Sequence, residues 1–466
     1  MGEYLDLQID KTKHVATITF GNAEKPINTL GKDLLGELDS ALDQLKKDSD
    51  TSGLVFLSSQ KDFIVGADIF ELHEMNSLEK AVSASQNMSA VFNKVQKLPF
   101  PTVCAISGNC LGGGLELALS CSWRIASQDG TYLGFPEIQL GLIPGGGGTV
   151  RLPKIIGLQA ALDMILTGRR ITAKKALKNG LLDLCVPEQL LLETAKNFAT
   201  RVRGKKSAAN IANGSNLSKD IPKWAIEGNP IGRKVMFKKA RDMVDDKTQG
   251  FYPASYKALE AVFDGYDLSE EKSLNLESKI FGELILTRQS QALIHLFHAE
   301  IGTKKHEFKE KRSDVGSLNL IGVFGAGVMG SGITTICVDK GLRVRLCDPE
   351  KEAVGRALKY ARSHFMRKVD RRKIQLFDMQ KKLAFISPGI IPEGLDIADI
   401  VVEAASEDLA IKKKIVADLE KKPRVDWIFA TNTSSIPIKK IAESSNHPER
   451  IIGMRFFSPV EEKKLR

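Results

Sequence analysis

Two glycine-rich turns, each set directly after an apolar run and opening a helical pattern, constrain this chain more than any other feature. One is GNCLGGGLE at 108–116, which follows PFPTVCAIS; the other is GAGVMG at 325–330, which follows SLNLIGVF. A strand that passes through glycines into a helix presents free main-chain N–H groups at the positive end of the helix dipole. Each turn therefore marks an α/β unit with a place for negative charge. Between them, residues 188–312 carry helical periodicity and no comparable loop. An α/β pattern that restarts after a helical stretch divides the chain, with a boundary expected near 312. A length of 466 residues accommodates two to four domains.

Short apolar runs at 5–20 and 53–58 predict strands, and the text turns helical from about 156 to 186, ending at LLDLCV. The composition, 42% hydrophobic and 27% charged, is that of a globular protein rather than a disordered or fibrous one. The net charge of +10 suits an anionic partner but is too dilute over this length to indicate nucleic acid. Residues 201–249 concentrate it, with 12 Lys/Arg against 5 Asp/Glu, and read first as a solvated helical face. The six cysteines form no CxxC pair and lie in apolar stretches, which predicts reduced core residues in a cytosol-like compartment and no metal site. No uncharged apolar run is long enough for a transmembrane span. The N-terminus MGEYLDLQID resembles neither a signal peptide nor a transit peptide.

Chemistry is suggested first around 112–116. Glu116 falls one turn into the helix that the three glycines open, and a second acid, Glu137, follows 21 residues on in LGFPEIQLG, ahead of PGGGGT. FIVGADI at 63–69 adds another turn of small residues where a main-chain N–H can face a ligand. Taken singly, each piece is ordinary loop or surface chemistry. Their joint order, GAD, strand, GGGxE, PE and PGGGGT, resembles the crotonase (enoyl-CoA hydratase/isomerase) superfamily over about residues 5–190. The resemblance implies a spiral ββα fold. It also implies an oxyanion hole made by the amides of Ala67 and Gly113 that binds the thioester oxygen of an acyl-CoA. Hydration of a C2=C3 bond requires one group to deprotonate water and another to protonate C2. The resemblance assigns these roles to Glu116 and Glu137, and relatives with both acids are hydratases whereas isomerases keep the second. Two carboxyls close together in a dried site do not both ionise easily.

In the second unit, Asp348 ends the run LRVRLCD, 18 residues after Gly330. An acid there accepts from a ribose 2′-hydroxyl and repels a 2′-phosphate, so NAD is expected over NADP. The pyrophosphate is expected over Gly325, Gly327 and Gly330, with Met329 following the turn. VVEAASEDLAIKKK, FATNTSSIPI and IIGMRFFSPV resemble the N-terminal half of the L-3-hydroxyacyl-CoA dehydrogenase family. That resemblance places Val401, Val402, Glu403, Glu407 and Ser434 on the cofactor or substrate side. With KTQGFYPASYKALEAVFDG and FGELILTRQSQAL, the whole chain resembles the multifunctional α subunit of fatty-acid β-oxidation, bacterial or mitochondrial. The expected division is 1–190 as hydratase core, 191–312 as its helical completion and linker, and 313–466 as a Rossmann doubly wound parallel sheet.

Two departures from that family are visible. Arg455 stands where the family has a catalytic His, and Arg stays protonated and cannot act as the base. The chain also ends before the family's His-orienting Glu and C-terminal helical domains, which reads as a C-terminal truncation. The leading expectation is hydration of trans-2-enoyl-CoA to L-3-hydroxyacyl-CoA, with an NAD-dependent dehydrogenase module that is incomplete. Δ3,Δ2-enoyl-CoA isomerisation through Glu137 and a nonenzymatic acyl-CoA/NAD-binding remnant are the alternatives. The resemblance further implies acyl-CoA substrates, a thiolase β subunit as partner, and a cytoplasmic location, or the mitochondrial matrix if a transit peptide has been removed.

Overall fold

In the computed structural model, residues 2–22, 25–72, 74–202, 229–304, 318–422 and 427–461 are described. The chain divides into two compact units, Met1–Lys304 and Lys305–Arg466. The boundary expected near 312 falls outside the described residues, as do much of the basic run at 201–249 and the end of VEEKKLR.

The first unit is built on a six-stranded sheet. Its strands are β1 (Leu5–Asp10), β2 (Val15–Phe20), β3 (Gly53–Ser58), β4 (Thr102–Ile106), β6 (Trp123–Ser127) and β9 (Leu184–Val186), in the order β1-β2-β3-β4-β6-β9. Only β1 and β2 pair antiparallel; the other neighbours are parallel. Parallel strands covered on both faces read as continuous apolar runs, and all five residues of β4 and of β6 are buried. A second sheet takes β5 (Asn109–Leu111), β7 (Tyr132–Gly134) and β8 (Ile171–Thr172). From β4 to β9 the chain crosses between the two sheets repeatedly, with β7 and β8 both in the smaller one, which is the ββα spiral. LLDLCV, expected to stop a helix, contributes β9 to the sheet edge beside β6. Its apolar residues find a paired main chain there.

Helices cover these sheets. Helix Gly113–Ser120 carries only Glu116 and Ser120 as polar side chains and all eight of its residues are buried, so it runs through the core rather than over it. Helix Leu78–Gln96 starts where the Ser77 side chain accepts from the Lys80 amide. The region 230–304 adds four helices to the same unit. Helix Glu270–Ile285, capped by Ser269 and with Glu270 and Glu271 in its first turn, packs on Leu78–Gln96. Helix Arg288–Lys304 packs on the 3₁₀ turn Pro136–Leu140.

The second unit is a six-stranded, wholly parallel sheet of β10 (Leu320–Phe324), β11 (Arg343–Cys347), β12 (Ile386–Gly389), β13 (Ile400–Glu403), β14 (Ile428–Thr431) and β15 (Ile451–Gly453). Their order is β12-β11-β10-β13-β14-β15. In sequence terms this is 3-2-1-4-5-6, the Rossmann order, whose switch point lies between the first and fourth strands. One apolar cluster lies on each face: Val402 belongs to one and Val401 to the other. Among the described residues no helix is long and apolar enough to cross a membrane.

Candidate active site

The isolated bridge Ile64↔Cys110 ties the 63–69 turn to the small sheet, beside the start of helix Gly113–Ser120, and Leu30↔Ala67 ties it to the segment before helix Lys32–Lys47. Ala67 and Gly113 are close enough that a Cβ on Gly113 would lie 3.9 Å from the Ala67 nitrogen. Among the described residues neither amide donates to another main-chain group. Both line a cavity of about 1110 Å³, together with Glu116, Glu137 and apolar residues such as Leu35, Val91, Leu142 and Phe281. Two free amides on one wall of a mostly apolar cavity form a receptor for an oxygen that gains charge. Gly112 is required by geometry: its φ is +53°, and a Cβ there would come within 2.8 Å of Glu137 Oε1.

The two acids are held differently. Glu116 is 1% exposed, and its Oε1 accepts from the amides of both Gly146 and Gly148 at 2.7 Å. Its Oε2 is left for another partner. Burial pushes this carboxyl up to about 7 against the pull of those amides and of Arg151. Glu137 sits on the 3₁₀ turn Pro136–Leu140, and its Oε2 is sealed from solvent with no hydrogen-bond partner. Burial raises the Glu137 carboxyl well above the ordinary range, and the Glu116 charge raises it further. Two interacting carboxyls whose environments differ separate into a proton acceptor and a proton donor. Glu116 is the one that ionises first.

Sequence reasoning missed a third carboxyl at this site. Glu277, on helix Glu270–Ile285, is fully buried and accepts from the Gly147 and Thr149 amides and the Thr149 hydroxyl. No motif surrounds it in LNLESKIFG. The available signal was its place on the helix face of Leu274, Phe281 and Leu284, where an acid is out of pattern.

In the second unit the three glycines have distinct duties. Gly325 has φ +101°, and a Cβ there would strike the Ala404 carbonyl; one on Gly330 would strike the Gly325 carbonyl. Gly327 faces open space. It directly precedes helix Val328–Asp339, so the main chain is bare where a pyrophosphate would approach. Asp348 lies just past β11, its carboxylate accepting from the amides of Ala326 (2.7 Å) and Glu350 (2.8 Å). Its oxygens keep further lone pairs for a ribose hydroxyl. These residues fit a dinucleotide.

The remaining expected positions divide. Glu407 and Ser434 meet: Glu407 Oε1 accepts from the Ser434 amide at 2.7 Å, and also from Thr433 and Ser435. These donors hold its carboxyl far below the usual range, despite some burial. Val401, Val402 and Glu403 lie on the central strand β13. Their side chains are 0%, 3% and 0% exposed because β13 is a central strand covered on both faces. Glu403 is enclosed by Lys412 Nζ at 2.8 and 2.9 Å, Thr431 Oγ1 at 2.6 Å and the Ala405 amide at 2.7 Å. Met329 packs its side chain against the core beneath the turn. Arg455 is exposed, its guanidinium 5.2 Å from the Phe457 ring centre.

Fold and site together define a two-unit α/β protein, a spiral domain with paired buried acids followed by a dinucleotide-binding Rossmann domain. Residues 10–252 match the family described as enoyl-CoA hydratase/isomerase, and residues 320–465 match the NAD-binding domain of 3-hydroxyacyl-CoA dehydrogenase. The chain belongs to the enoyl-CoA hydratase/isomerase family, and its second unit is an NAD-binding domain. It is 40% identical over 464 residues to the fatty acid oxidation complex subunit alpha of Vibrio vulnificus, covering 99% of this chain and 64% of that protein. It is likewise 40% identical over 454 residues to the subunit of that name from Shewanella baltica, covering 97% and 63%. The chain thus spans about 64% of the length of such relatives. A solved enoyl-CoA hydratase from Bacillus anthracis is 28% identical, covering 64% of this chain and 96% of that one, with a TM-score of 0.40.

Proposed function

We propose that the first unit hydrates trans-2-enoyl-CoA thioesters to L-3-hydroxyacyl-CoA. The observation that carries this reading is the unequal pair of acids beside two free amides in one apolar cavity. The thioester oxygen is received by the Ala67 and Gly113 amides, which stabilise it as enolate charge builds. Glu116, ionised near neutral pH and fixed through Oε1, takes a proton from water through Oε2. Glu137, still protonated, delivers its proton to C2. Retention of both acids favours hydration over isomerisation through Glu137 alone.

The second unit holds NAD through Gly325, Gly327, Gly330 and Asp348. NAD, when bound, accepts a hydride from a substrate carbon. The reading extends to oxidation of the 3-hydroxyacyl product only where a neutral base meets the hydroxyl, and Arg455 does not supply one. We further propose a thiolase β subunit as partner, supported by the relatives' designation as complex subunits. The six free cysteines, four of them buried, suit a reducing compartment such as the cytoplasm or the mitochondrial matrix. The deciding experiment follows crotonyl-CoA with the purified chain. Loss of the enoyl chromophore with L-3-hydroxybutyryl-CoA as product supports hydration; no product, or a shifted double bond alone, rejects it.

A further inference from the structure

The loop Gly146–Thr149 is gripped by two carboxyls in alternation. Gly146 and Gly148 donate their amides to Glu116 Oε1, while Gly147 donates to Glu277 Oε1 and Thr149 to Glu277 Oε2. The Thr149 hydroxyl adds a second donor to Oε2. Loop carbonyls are tied as firmly. Ser85 and Ser89 donate to the Gly145 oxygen, and Arg151 Nη1 donates to the Gly146 oxygen at 2.8 Å. Ser278, next to Glu277, shares a hydroxyl–hydroxyl hydrogen bond of 2.9 Å with Ser85, whose own proton goes to the Gly145 oxygen. Helix Glu270–Ile285 therefore reaches the catalytic loop through two consecutive fully buried polar residues. Four successive amides cannot turn independently, so a grip on two of them sets the direction of the other two.

We propose that Glu277 is a positioning residue for the hydration site, holding the Gly147 and Thr149 amides so that those of Gly146 and Gly148 stay aimed at Glu116. The inference rests on the hydratase reading for its catalytic meaning. Charged groups around Glu277 are Glu116 on helix Gly113–Ser120, Glu137 on the 3₁₀ turn, Arg151 on helix Gly148–Ile156 and Glu270 on its own helix. Burial, and after it the Glu116 charge, push Glu277 up to about 8, while the Thr149 and Gly147 donors pull it down. Glu277 acts through the geometry of the loop it holds. Loosened amides stabilise the Glu116 carboxylate less and raise its proton affinity.

The test uses Glu277→Gln and Thr149→Val in the full chain. Gln offers one acceptor oxygen where Glu277 offers two, so its NH₂ must confront an amide donor; Thr149→Val deletes only the hydroxyl donor. Hydration of crotonyl-CoA is measured across pH. In parallel, the carboxylic-acid infrared band of Glu116, identified by its loss in Glu116→Gln, is titrated without substrate. The expected result is lower kcat with KM little changed, and a Glu116 titration moved upward by about half a unit or more, less in Thr149→Val. Titration at the parent pH in folded Glu277→Gln overturns the proposal; if that variant does not fold, the same null in Thr149→Val does so. A parent chain that fails to hydrate rejects the hydratase reading, while the infrared titration still decides the positioning role.

Discussion

The Glu116 carboxyl shows how far a single residue's chemistry depends on which of its oxygens is engaged. Both loop amides fall on Oε1, so Glu116→Gln can keep them on its carbonyl oxygen and lose only the base. Glu116→Gln and Glu137→Gln are each expected to lower hydration by ~10²–10⁴-fold, the contribution of one acid–base group. Steady-state rates with crotonyl-CoA check this, and parental turnover in either variant removes that acid from the mechanism. With Glu116 near 7 and Glu137 higher, kcat/KM should rise with pH through about 7 and fall at higher pH as Glu137 ionises. Stability has the opposite slope on the acid side. A carboxyl raised from 4.5 to about 7 on folding contributes stability that is fully present below 4.5 and lost as pH rises through 7. Denaturant midpoints of Glu116→Gln should therefore gain on those of the parent between pH 4.5 and 7. A gap that narrows over that range would contradict the assignment.

At the scale of elements, both sites are strand–glycine–helix junctions, and each glycine's role follows from what a side chain would strike. A Cβ on Gly330 has no room against the Gly325 carbonyl. Gly330→Ala should distort the turn and weaken NAD binding tenfold or more, roughly the loss of one main-chain phosphate contact. Calorimetric titration reads this, and unaltered NAD affinity would mean the turn does not carry the pyrophosphate. The helices of 230–304 matter in a different way. Tyr252 donates its hydroxyl to the Ile138 carbonyl at 2.6 Å, beside Glu137, while Glu277 holds the loop that holds Glu116. Each of the two acids therefore has a brace on this helical region.

For the whole molecule, two compact units imply two binding events that can be located separately. Hydrogen exchange should slow around Gly325–Ser331 and Asp348 on adding NAD, and around Ala67 and Gly113 on adding an enoyl-CoA. Protection of the 64–68 turn by NAD would place the cofactor elsewhere. NADH formation from L-3-hydroxybutyryl-CoA should stay at background, because the guanidinium of Arg455 does not serve as a general base. A robust NADH signal would show that another group supplies the base.

The two openings of an α/β pattern, both glycine turns and the acids at 116, 137 and 348 can be read in the text of the chain. These depend on local chemistry: apolar runs, glycines at positive φ and acids at fixed offsets from them. The text did not show that the side chains of Val401, Val402 and Glu403 are buried in a central strand covered on both faces. Glu277 was legible only as an acid on an apolar helix face, since its partners lie 128 and 130 residues away in the chain. Tertiary structure alone decided which oxygen of Glu116 is engaged, that Glu137 Oε2 is orphaned, and that four consecutive amides divide between two carboxyls. Those are properties of dried, convergent geometry, and convergence of distant segments leaves no periodic trace in the text of either one.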